Sequence, residues 1–151
     1  DNIELEPSIL LNSNRDYTLK INLYKIENFR TDIFQNAKYH VIGYYENEEQ
    51  LICVSENQQI YLIVNYDDLI CYVAPNLKSF QQEIRLFETL TKECKLIDKI
   101  SYTDENTEDI LQEISDILKR DILKIDSNAF DNIENFWSEI CIEIEDGIIF
   151  T

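Results

Sequence analysis

Residues 38–73 read KYHVIGYYENEEQLICVSENQQIYLIVNYDDLICYV, and the spacing in this stretch decides the fold. Four short runs, YHVIGYY, LICVS, QIYLIVN and LICYVA, are rich in the β-branched and aromatic side chains that suit a pleated surface. Polar turns separate them: ENEE at 46–49, ENQ at 56–58 and YDD at 66–68. Connections this short join antiparallel neighbours, because a parallel crossover needs a dozen or more residues. The stretch therefore predicts a four-stranded antiparallel meander. In the third run Ile60, Leu62 and Val64 alternate with Tyr61, Ile63 and Asn65. Apolar groups thus fall on both faces, so one face calls for helices and the other for at least partial cover.

After Pro75 the period changes. Leu77, Phe80, Ile84, Phe87, Leu90 and Cys94 recur at steps of three and four, the stripe of an amphipathic helix, with Pro75 and Asn76 where its start belongs. A second helix follows NTED, with Ile110, Leu111, Ile114, Ile117 and Leu118 on one side and acids near its start, where they suit the helix dipole. The last segment is ambiguous locally, because Ile140, Ile142 and Ile144 alternate as a strand would. At 100° per residue, however, Ile133, Phe136, Trp137, Ile140, Cys141 and Ile144 share one arc. Glu134, Glu139, Glu143, Glu145 and Asp146 fall outside it, Ile142 alone is out of place, and Gly147 offers a left-handed stop. The expected class is α+β: a meander of about four or more strands packed against C-terminal helices, one domain over residues 1–151. In the N-terminal forty residues, IEL and SILL are apolar, and YTLKINLYKI reads as either a strand or a turn-rich entry.

A chain of 151 residues hides roughly 68–70% of its unfolded surface, enough for a core without staples. Its 44% apolar content separates it from disordered acidic tails. With 13 basic and 30 acidic residues the formal charge is −17. Nucleic acid and anionic membrane are poor partners for such a surface, and a basic protein is the natural complement. Solubility alone also accounts for acidity. Cys53, Cys71, Cys94 and Cys141 lie in apolar periodic segments without C-x-x-C and read as buried thiols, although Cys53 and Cys71 are candidates for cross-strand pairing. No apolar run spans a membrane and no secretory leader is evident, so the expectation is a soluble, cytoplasmic protein.

The catalytic inventory is sparse. His40, the single histidine, sits between Tyr39 and Val41 in a predicted strand and reads as structural. With Gly43 and Gly147 as the only glycines, neither a P-loop nor a dinucleotide fingerprint can form. There is no G-x-S-x-G elbow and no Cys/His zinc spacing, so no catalytic residue, metal or cofactor is assigned. DSNAFD at 126–131 only loosely suggests a calcium loop, since Phe130 takes a ligand position and the required glycine is missing; a capping turn fits better. Trp137 reads as a core aromatic beside Phe136 rather than an interface anchor.

The order of elements, the boundary YVAPNLKSFQQEIRLF and the late pattern ID-x-x-AF-x-x-x-x-x-FW-x-E-I-x-x-E-I-x-x-G resemble the SUKH superfamily of bacterial immunity proteins (SMI/KNR-like fold), nearest its fourth subgroup. The likeness runs from about Val41 to Gly147. Asn76, Leu77, Ser79 and Phe80 match that group's helix start, and Asp126, Ala129, Phe136 and Trp137 match its late Asp, Ala and aromatic-Trp helix. The resemblance implies a non-enzymatic bacterial antitoxin that neutralises a cognate toxin by direct stoichiometric binding, with Phe80, Ala129, Phe136 and Trp137 as core signature. The candidate contact set is Glu134, Glu139, Glu143 and Asp146, with Ile142 among them. Alternatives from other classes are a regulatory or scaffold module that binds a cellular protein, and a hydrolase built on paired carboxylates.

Overall fold

The structure, a computed structural model, describes residues 19–101 and 105–149. IEL, SILL and the first two residues of YTLKINLYKI lie outside the described residues. Five antiparallel strands form one meander in sequence order: β1 (Leu23–Phe34), β2 (Ala37–Tyr45), β3 (Gln50–Ser55), β4 (Ile60–Val64) and β5 (Leu69–Ala74). The four strands expected from 38–73 are present with the expected turns, and a fifth precedes them. β1 resolves the open reading of YTLKINLYKI, because that stretch from Leu23 onward is strand. Its tight link to β2 runs through Gln35 (φ 49°) and Asn36 (φ 64°), the left-handed pair that a two-residue hairpin turn requires. The register slips between Lys25 and Arg30, and residues from Glu27 to Thr31 face solvent, as befits an edge strand.

Among the described residues three helices follow: α1 (Leu77–Glu93), α2 (Thr107–Ile125) and α3 (Phe136–Glu145), with a short 3-10 turn at Lys95–Lys99. Asn76 caps α1, its side-chain oxygen accepting from the Ser79 N–H at 2.8 Å. Helices α1 and α3 lie on β5, and α2 packs against both. The helix-facing side of the sheet, with Ile42, Ile52, Leu62, Val64, Cys71 and Val73, forms one core with Phe80, Phe87, Leu118, Phe136, Trp137 and Ile144. Each large aromatic hides roughly 150–250 Å², of the order of 4–6 kcal/mol of transfer free energy. The opposite face carries a smaller buried cluster of Tyr39, Val41, Leu51, Cys53 and Ile63. Since Cys53 belongs to one face and Cys71 to the other, the candidate cross-strand disulfide is ruled out; both thiols are free and buried. His40 is exposed on β2 and its Nδ1 lies 3.1 Å from the Thr31 hydroxyl of β1.

One apolar assignment is overturned. Ile133 does not join the arc of α3, because the helix begins at Phe136 and Ile133 is 71% exposed in the preceding loop. That loop breaks the helical period by satisfying its own polar groups. Asp126 accepts from the Asn128 N–H, Asn135 donates to the Asn128 and Ala129 carbonyls, and Ser138 donates to the Asn132 carbonyl. The far end of α3 stops where Gly147 adopts φ 72°. Its N–H reaches the Ile144 carbonyl while the Ile148 N–H reaches Glu143, the paired bonds of a Schellman stop.

Candidate functional site

The loop at 126–135 and the first turns of α3 bring three of the nominated acids to one place. Asp126, buried at the end of α2, accepts from the Tyr72 hydroxyl of β5 at 2.8 Å and so ties the loop to the sheet. The chain then presents Glu134 just before α3, and Glu139 and Glu143 stand one turn apart on the helix. Between this flank and the ends of β4 and β5 lies a groove of about 300 Å³. Leu62, Val64, Cys71, Phe136 and Ile140 line it with apolar surface, whereas Glu134, Glu139, Glu143 and Asp67 supply carboxylates. Tyr66, 62% exposed, stands at its edge. Phe136 is fixed in the wall by edge-to-face contacts with Tyr45 at 5.3 Å and Trp137 at 5.0 Å between ring centres.

The electrostatics of the groove are one-sided. Half-burial pushes the Glu143 carboxyl above the usual carboxylate range, and the charges of Glu139 and Glu46 push it further. Burial, followed by Glu143, Glu46 and Glu139, raises the Tyr45 hydroxyl far above its ordinary value. Burial also raises the Cys71 thiol, with Glu134 and Glu139 adding to it. The ion pairs Arg30–Asp32 and Lys124–Asp121 lie elsewhere, on β1 and α2. The groove thus holds several carboxylates beside apolar surface, and among the described residues no lysine or arginine lines it.

The remaining nominated residues separate from this group. Asp146 faces a different depression, together with Glu145 and with Glu105 and Glu108 at the start of α2. Glu108 has a structural reason to be there, since it sits in the first turn of α2. Ile142 is half-buried and lines neither depression. Phe80, Ala129, Phe136 and Trp137 are all buried in the main core, and Trp137 is fully enclosed.

Sequence reasoning missed Tyr45, Tyr66, Asp67, Leu62 and Cys71 as groove residues. A signal existed: in a meander the second and fourth turns fall at the same end, which places ENEE beside YDD. The arrangement can seat a long cationic side chain, with its stem against the apolar wall and its charge among the acids. Among the described residues no three His, Cys, Asp or Glu side chains are grouped as a metal site, and no helix is long and apolar enough to cross a membrane. No family model, no curated protein and no solved structure matches the chain.

Proposed function

We propose that this chain is an immunity protein that acts in the bacterial cytoplasm and neutralises a basic toxin by stoichiometric binding, with the groove beside α3 as its central contact. The observation that carries this reading is the grouping of Asp67, Glu134, Glu139 and Glu143 around apolar surface on a protein of net charge −17. Carboxylates at the rim steer a basic partner and speed encounter, and the apolar wall gives the complex its lifetime once water is expelled. The SUKH-like order of elements supports the same reading. So does the half-burial of Glu143 among like charges, since a cation from a partner relieves that repulsion.

The test is the association rate with the product of the neighbouring gene, taken as the proposed toxin, measured by stopped flow at ~10 mM and ~150 mM salt, where the Debye length falls from about 30 Å to about 8 Å. The rate is expected to drop by about tenfold or more. A rate indifferent to salt removes the electrostatic part of the proposal.

A further inference from the structure

The groove does not end at Glu143. A second depression of about 390 Å³, lined by Lys20, Asn22, Glu46 and Ile148, shares Tyr45, Gln50 and Glu143 with the first. The two adjoin at these shared residues as one trough, in which exposed Tyr66 lines the first depression and exposed Ile148 the second. A trough selects a different partner shape from a flat acidic patch, because it admits a protruding segment and excludes a broad surface.

We infer that the trough receives an extended segment of the partner whose arginine side chain enters the α3 groove. This rests on the proposed function only in taking the groove as the contact. Arginine fits better than lysine on chemical grounds. Tyr66, 62% exposed, offers an aromatic face on which a planar guanidinium stacks, and Glu139 and Glu143 offer carboxylates one helical turn apart to its fork of donors. Charge complementarity is local as well as global. Asp67, Glu134, Glu139 and Glu143 line the first depression, whereas in the second Lys20 stands beside Glu46 and Glu143.

A blocked pentapeptide with a central arginine, and the same peptide with neutral citrulline in its place, provide the probe. Binding is followed by calorimetry and by amide shifts in heteronuclear NMR. The arginine peptide is expected to shift Cys71, Phe136 and Ile140, and citrulline to bind about tenfold weaker or less tightly still. The double variant Glu139→Gln/Glu143→Gln is expected to lose about tenfold in affinity. Glu105→Gln/Glu108→Gln removes the same charge from the other acidic depression and is expected to change affinity by less than about twofold. Tyr66→Ala, at an exposed position, is expected to weaken binding without touching any charge or the core. Equal losses from both double variants, equal binding of citrulline and arginine, or no shifts in the groove would each overturn the inference. Because the probe is synthetic, such a failure leaves toxin neutralisation itself to be decided by growth rescue.

Discussion

Glu83 on α1 is fully buried, at 0% exposure, and neither of its carboxylate oxygens has a hydrogen-bond partner among the described residues. Burial raises its pKa from the ordinary 4.5 to about 9, and the charge of Asp126 adds to the rise. The Trp137 indole N–H opposes the shift by favouring the anion, but is too poorly placed for a hydrogen bond. Between those two pH values the folded protein holds a proton that the unfolded chain has released. Stability is therefore greatest below pH ~4.5 as far as this group is concerned, falls as pH rises, and levels off above ~9. From pH 4.5 to 7.5 the interval is about 3 units, which at ~1.4 kcal/mol each corresponds to up to about 4 kcal/mol. Glu83→Gln keeps the shape and removes the titration, so the variant should be more stable than the parent at pH 7.5, by up to about 4 kcal/mol, and nearly equal to it at pH 4.5. Urea unfolding of both proteins at pH 4.5, 6 and 7.5 gives the difference directly. Parallel stability profiles for the two proteins, or a variant weaker at pH 7.5, would refute the reasoning.

Further outcomes follow from packing and from the helix stop. Trp137→Ala empties the centre of the core between Phe87 and Phe136 and should cost about 3–5 kcal/mol in urea unfolding, whereas Ile133→Ala, at an exposed loop position, should fall within about 0.5 kcal/mol of the parent. Gly147→Ala forces a side chain into the left-handed conformation at φ 72° and should lower stability by about 1–2 kcal/mol, read from the same unfolding curves. Losing the cap in Asn76→Ala should cost about 1 kcal/mol and leave peptide binding at the groove unchanged.

The meander was legible because its turns are short and polar while its strands are dense in β-branched residues. α1 was legible from its stripe and its Asn76 cap. β1 was only half legible for a physical reason: it is an edge strand whose alternation is broken between Lys25 and Arg30 and whose exposed side chains mix polar groups with Phe29 and Ile33. Ile133 was misplaced because periodicity does not register the side-chain bonds that Asp126, Asn135 and Ser138 make with the loop backbone. Within the contact set, helical spacing placed Glu139 and Glu143 on one outward flank. It missed the other half of the groove, Leu62, Cys71 and Tyr66, because those residues approach α3 only through the tertiary packing of that helix on β5. Asp146 looked equivalent to the other acids by spacing, and it lies instead in the depression shared with Glu105 and Glu108.

The most direct measurement of the central claim is co-expression with the product of the neighbouring gene, scoring growth together with the stoichiometry of the purified complex. The expected result is restored growth and a one-to-one complex for the parent protein, with both diminished for Glu139→Gln/Glu143→Gln. A parent protein that neither restores growth nor co-purifies would contradict it.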